Sequence, residues 1–175
     1  KQRVLDVGRG NGWAACWIAD RVGAEGEVIG IDLSEPMLEL ARTKAAAHGA
    51  TKNTYLQASF ESLPFEAQSF DHIFSMEALY YAEDIHVAMD ELCRVLVPGG
   101  TMTVCTDFFI ENTYCHSWPA TMKIPMELLS EAGWKTLFEQ HGFDEVTTYR
   151  CLDDRPIASD LSEAEQEEQC TFRTE

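Results

Sequence analysis

Gly8, Gly10 and Gly12 are separated by single residues near the start of the chain, and a carboxylate, Asp32, stands twenty residues past the last of them. Glycines at such a turn allow positive φ and let a ligand approach the main chain closely. An apolar helical pattern follows at once. The turn therefore opens onto a helix start, whose first N–H groups have no partner inside the helix and suit a polar ligand. Asp32 ends the second strand pattern, where a carboxylate can accept both hydroxyls of a ribose. These residues describe the front end of a nucleotide-type cofactor site on an open α/β sheet.

Two cofactors are bound by a Gly-rich first turn with an acid at the end of strand two: a nicotinamide dinucleotide and S-adenosylmethionine. Glycine spacing separates them. A dinucleotide fingerprint needs its third glycine at position 13, where helix and strand pack closely. Position 13 is Trp, and the glycines run G-x-G-x-G. The chain also has no Tyr-x-x-x-Lys pair, which a short-chain dehydrogenase would need to polarise a carbonyl. A nicotinamide-dependent oxidoreductase is therefore the runner-up.

The elements that must position these residues alternate between strand and helix, the pattern of a parallel sheet covered on both faces. Strands are expected at Arg3 to Val7, Glu27 to Asp32, Thr54 to Ala58, Phe70 to Ser75, Thr101 to Thr106 and Phe143 to Arg150. Trp13 to Val22 reads as a helix with Ala14, Trp17, Ile18 and Arg21 on one face. Ser34 is expected to cap a second helix, with Pro36 in its first turn and Gly49 at its end. Ile85, Ala88, Met89, Leu92, Cys93 and Leu96 recur at helical spacing behind Asp84, a natural N-cap. Pro98-Gly99-Gly100 breaks that helix. Ser130 opens another, which should bury Trp134, Leu137, Phe138 and His141 and stop at Gly142. Asp107 to Leu129 has no clear period and follows the carboxyl end of a strand, where open α/β sheets bind ligands. It is the expected substrate-facing region, with Trp118 and Trp134 read as core or lid anchors.

The chain's 175 residues suffice for one domain. That domain is expected over 1–155, with 156–175 an acidic tail forming a helix from Ser162 and a short final strand at Cys170 to Arg173. Because that strand is the only one left to complete the sheet, pairing with a second copy is a further expectation. Thirty acidic residues against thirteen basic ones give a formal net charge of −17. Such a surface repels phosphate backbones and anionic lipid, which argues against nucleic acid and membrane as partners. It reads first as a solubility device and second as a mark of a salt-rich cytoplasm. No apolar run is long enough to span a membrane, and no secretory leader is read. The chain begins at Lys1 inside a strand, as a trimmed piece of a longer protein would. None of its six cysteines forms a C-x-x-C pair and no His pair has zinc spacing, so reduced thiols in a cytoplasmic protein, without a metal, are expected.

Four segments in order resemble one family: VLDVGRGNG at 4–12, GIDLSEPMLELA at 30–41, SLPFEAQSFDHIFSMEALYY at 62–81 and ELCRVLVPGGTMTV at 91–104. The chain is similar to the class I S-adenosylmethionine-dependent methyltransferases, most of all to their small-molecule, ubiquinone/menaquinone-biosynthesis branch. The resemblance implies a Rossmann-like three-layer α/β sandwich that binds S-adenosylmethionine and releases S-adenosylhomocysteine. It implies that Asp6, Gly8, Gly10 and Gly12 line the methionine half of the cofactor and that Asp32 holds the ribose. Leu33 and Met37 would pack near the adenine, Ser59 and Phe60 would meet its edge, and the Ser75 carbonyl would face the methionine amino group. Arg9 and Ser59 depart from the family pattern, which commonly has a small residue at the first position and Asp at the second. A hydroxyl at 59 lacks charge assistance, so cofactor binding is expected to be slightly weaker.

The implied reaction is in-line displacement at a methyl group, with the acceptor atom about 3 Å from the methyl carbon. Glu77, Tyr80 and Tyr81 follow strand four, where the family places its small-molecule acceptor, and are expected to line that pocket. His116, His86 and Asp107 are further candidates for a base, His116 foremost. A catalytically silent cofactor-binding partner subunit is the alternative from a different class.

Overall fold

The computed structural model describes residues 2–8, 10–50 and 52–151. They form two compact units, one comprising residues up to 106 together with Pro125–Glu127, the other comprising Asp107–Ile124 and the chain from Leu128 onward. Arg9 and the expected helix and strand of the tail lie outside the described residues.

The first unit contains a five-stranded parallel sheet built from β1 (Arg3–Val7), β2 (Glu27–Asp32), β3 (Thr54–Gln57), β4 (Phe70–Met76) and β5 (Leu96–Cys105), in the order β3-β2-β1-β4-β5. Three helices belong with it: α1 (Trp13–Val22), α2 (Glu35–His48) and α3 (Ile85–Val95). Right-handed crossovers dictate their placement. From β1 the chain winds outward to β2 and β3. It then restarts on the other side of β1 with β4 and β5, which puts α3 on the face opposite α1 and α2. Val4, Val28, Leu38 and Phe74 belong to one core cluster that also takes in Ala14, Ala15 and Ile18 of α1. Leu5, Val7, Ile31 and Ile73, of opposite parity on their strands, are fully buried too. A parallel sheet covered on both faces has such continuous apolar strands, and each fully buried large aliphatic contributes about 1.5–3 kcal/mol.

The local signals explain most element boundaries. Asp84 caps α3, its Oδ1 accepting from the amides of His86 and Val87. Gly49 ends α2 with φ +82°. Ser34 sits at the N-cap of α2, but its side chain makes no cap hydrogen bond. Its amide instead donates to Asp32, which is already fixed at the end of β2. On α1 the buried face is Ala14, Ala15 and Ile18, while Trp17 is half-exposed beneath the Arg21 guanidinium, 4.5 Å from the ring centroid. The helix presents this pair to solvent because a cation stacked on an aromatic keeps its hydration.

β5 begins five residues earlier than its sequence suggests. Leu96 pairs with Phe70, and Thr101 with His72, so Pro98-Gly99-Gly100 is absorbed as a register irregularity rather than a break. β5 is an edge strand among the described residues, and an edge tolerates a proline that donates nothing. Arg94 and Glu91 of α3 tie down the β3–β4 connection: Arg94 donates to the carbonyls of Phe65 and Leu63, and Glu91 accepts from the Leu63 amide.

In the second unit a 3₁₀ turn (Thr113–Ser117) leads into α4 (Trp118–Met122), and α5 (Glu131–Gln140) follows. Trp118 stacks on the fully buried Phe108 at 5.9 Å. Ser130 caps α5 through the Gly133 amide, and Trp134 and Leu137 are buried while Phe138 and His141 are only partly so. The expected strand at Phe143 to Arg150 is not formed. Thr148 and Arg150 bond to Glu131 of α5, and Tyr149 is 85% exposed. Strand propensity has no effect without a neighbouring strand to pair with. Of the described cysteines, Cys16 and Cys115 are buried and Cys151 is exposed.

Candidate functional site

The direction of strand succession reverses between β1 and β4, where an open α/β sheet leaves a crevice beyond its strand ends. The glycine turn projects from β1 into that crevice. Gly8, Gly10 and Gly12 have φ of +65°, +52° and +82°, values that side-chain-bearing residues adopt at a cost. A Cβ on Gly8 would fall 2.1 Å from Ala78 Cβ, whereas a Cβ on Gly10 would meet nothing within 4 Å. Gly8 is thus needed for packing against the segment after β4, and Gly10 leaves its main chain open to a ligand. Gly12 is the N-cap of α1 and supplies no side-chain cap, so the first amides of this helix are available to a polar group.

Asp32 joins the turn to the next connection. Its Oδ2 accepts from the Gly10 amide and its Oδ1 from the Ser34 amide, both at 2.8 Å. A carboxylate has about four acceptor sites, so both oxygens keep capacity for a pair of hydroxyls. Lys44 of α2 steadies the turn through Asn11 Oδ1 at 2.9 Å. Leu33 and Met37, 64% and 41% exposed, flank Asp32 as apolar surface facing solvent, the kind of surface that favours covering by a flat ring. The Ala58 amide donates to the Asp32 carbonyl, bringing the turn after β3 to the same edge. There Ser59 Oγ accepts from the Glu61 amide, and Phe60 is buried. Asp6 and Ser75 are the buried polar residues of the core, 1% and 0% exposed. Ser75 Oγ has no hydrogen-bond partner among the described residues.

The segment after β4 carries three of the four residues expected to act on an acceptor. Glu77 has φ +52°, and its amide donates to the Cys105 carbonyl of β5 at 2.9 Å. Tyr80 Oη donates to Glu77 Oε2 at 3.0 Å. Burial foremost, and then the Glu77 charge, push the Tyr80 pKa far above the usual phenol range, so Tyr80 keeps its proton and acts as a donor. Its ring packs on Tyr81 at 4.5 Å. His116 belongs to the second unit, where it is exposed with Nε2 2.9 Å from the Ile110 carbonyl. Thus the first unit collects Asp6, the three glycines, Asp32, Ser75, Glu77, Tyr80 and Tyr81 at the carboxyl edge of its strands. Sequence reading missed Ala78, whose methyl group fixes Gly8, and the Cys105 carbonyl that anchors Glu77. Neither carries a chemical signal of its own.

A family profile described as "Methyltransferase domain" matches residues 5–104. The chain is 38% identical over 103 residues to the ubiquinone/menaquinone biosynthesis C-methyltransferase UbiE of Idiomarina loihiensis, covering 58% of this chain and 41% of that protein. It is 38% identical over 106 residues to the demethylmenaquinone methyltransferase of Geobacillus kaustophilus, covering 61% and 45%. The chain therefore spans less than half the length of these relatives. Among solved structures it is similar to the methyltransferase in a complex with the Haloferax volcanii Trm112 methyltransferase activator. The TM-score is 0.85 and the identity 29%, over 99% of this chain and 77% of that one.

Proposed function

Because the chain belongs to the methyltransferase domain family, whose members bind S-adenosylmethionine, we propose that it transfers a methyl group to a small-molecule acceptor by in-line displacement. The observation that carries this reading is the Asp32 carboxylate, tied to Gly10 and Ser34 beside a glycine whose missing side chain leaves open space. When bound, S-adenosylmethionine supplies an electrophilic methyl group on a sulfonium.

The remaining work falls to this chain's own residues. Asp32 accepts the ribose hydroxyls with the lone pairs its two amides leave over, and Leu33 and Met37 cover the adenine. The uncapped start of α1 offers main-chain donors to the carboxylate of the methionine half, and Gly10, whose amide is held by Asp32, leaves room for it. Ser59, committed to its own turn through the Glu61 amide, still has a hydroxyl proton to give the adenine edge. Glu77, Tyr80 and Tyr81 border the acceptor, and Tyr80, which holds its proton, orients Glu77. The leaving group is already excellent, so positioning dominates.

The relatives' names make a quinone-type compound the first acceptor to try. Label should pass from methyl-labelled S-adenosylmethionine to at least one member of a panel of quinols, phenols and amines. If the protein binds the cofactor yet labels nothing, alone or with an activator protein, it is a silent subunit instead. The likeness to a methyltransferase solved in complex with an activator favours a second reading, in which turnover needs an activator protein. Labelling that appears only once Trm112 of Haloferax volcanii is added supports it.

A further inference from the structure

We propose that Glu77, held in place by Tyr80, is the group that distinguishes the cationic cofactor from its neutral product. The inference rests on the S-adenosylmethionine site proposed above and assigns that site its charge selectivity.

Three observations carry this proposal. The first is position. Ser75 pairs with Val7 across the β1–β4 boundary, and the Gly8 main chain packs against Ala78, where any added Cβ would overlap the alanine methyl. Ala78 therefore lies directly against the glycine turn, and Glu77 is the residue before it.

The second is conformation. Glu77 is one of three described non-glycine residues with positive φ. Unlike Asn or Asp, Glu has no short side chain that favours this region locally. Its amide bond to Cys105 holds the backbone there. Such strained residues persist where the surroundings over-determine them, and they cluster at ligand sites.

The third is orientation. Tyr80 is 3% exposed and donates to Glu77 Oε2. One carboxylate oxygen is thereby tethered to a buried side chain.

In methyl transfer the acceptor–carbon bond forms as the sulfur–carbon bond breaks, and the bonding pair goes to sulfur, which loses its positive charge. A tethered carboxylate beside the glycine turn favours the sulfonium over the thioether. It therefore retains the cofactor and lets the product go.

Calorimetric titration with three probes tests this on the intact chain. S-adenosylmethionine carries a sulfonium, sinefungin carries an ammonium in its place, and S-adenosylhomocysteine is neutral there, while all three share the remaining contacts. Glu77→Gln should weaken the two cationic ligands about tenfold and leave S-adenosylhomocysteine within about twofold. Tyr80→Phe, which frees the carboxylate without removing it, should shift the same ratio by a smaller factor. Equal loss for all three ligands, or no change for any, overturns the inference while leaving the cofactor site standing. Failure of the unsubstituted protein to bind any of the three overturns both.

Discussion

Gly8 and Gly10 both sit at positive φ, yet they are glycines for different reasons, and substitution separates them. Alanine at 8 must adopt a left-handed backbone and also overlap Ala78. Strain and overpacking together should cost about 3 kcal/mol or more. Alanine at 10 meets open space and should cost only about 1 kcal/mol, while its methyl group occupies the room a cofactor needs. Denaturant unfolding of the two variants, with S-adenosylmethionine titrations on each, checks this. Gly8→Ala should lose stability, and Gly10→Ala should stay folded but bind at least about tenfold more weakly. Equal unfolding midpoints would refute the distinction. The turn itself was readable in the sequence because three closely spaced glycines and a distant aspartate are positional requirements. Which glycine serves packing and which serves the ligand depends on Ala78, seventy residues away, and no local pattern records that.

At the scale of elements, helices with caps and apolar stripes were legible, α3 above all, because each signal is local. The start of β5 was not. Pro98-Gly99-Gly100 reads as a break, and only its place on a sheet edge makes it tolerable. The expected strand after Gly142 failed for the complementary reason, since the residues suit a strand but pair with none among the described residues. The β4–β5 pairing also carries a pH-sensitive contact. His72 on β4 is half-buried with Nδ1 2.7 Å from Thr101 Oγ1 of β5. Burial lowers its pKa, an effect that a hydrogen bond with the Thr101 backbone partly offsets. Protonation therefore favours the unfolded chain. The stability contribution is complete above the unfolded histidine value near 6.5 and declines as pH falls through the lower folded-state value. Denaturant midpoints measured from pH 8 to pH 5 should fall less steeply in His72→Gln than in the unsubstituted protein. Parallel curves would show that His72 contributes no pH dependence.

For the whole molecule, one topological fact organises the rest. The strand order reverses between β1 and β4, and the residues that sequence reading singled out from Asp6 to Tyr81 converge on the strand ends around that reversal. The alternation of apolar strands and helices made this architecture legible, because a parallel sheet admits few arrangements once crossovers are right-handed. The formal charge of −17 bears on partners rather than fold, and it suits a small-molecule acceptor better than a nucleic acid. The central claim is that this edge binds S-adenosylmethionine through Asp32. Its most direct test is calorimetric titration of the chain and of Asp32→Ala with S-adenosylmethionine and NADH, with thermal melts to establish that both proteins are folded. The account predicts micromolar binding of S-adenosylmethionine, about −8 kcal/mol, abolished in the variant, and no binding of NADH. S-adenosylmethionine binding that survives Asp32→Ala, or a preference for NADH, would contradict it.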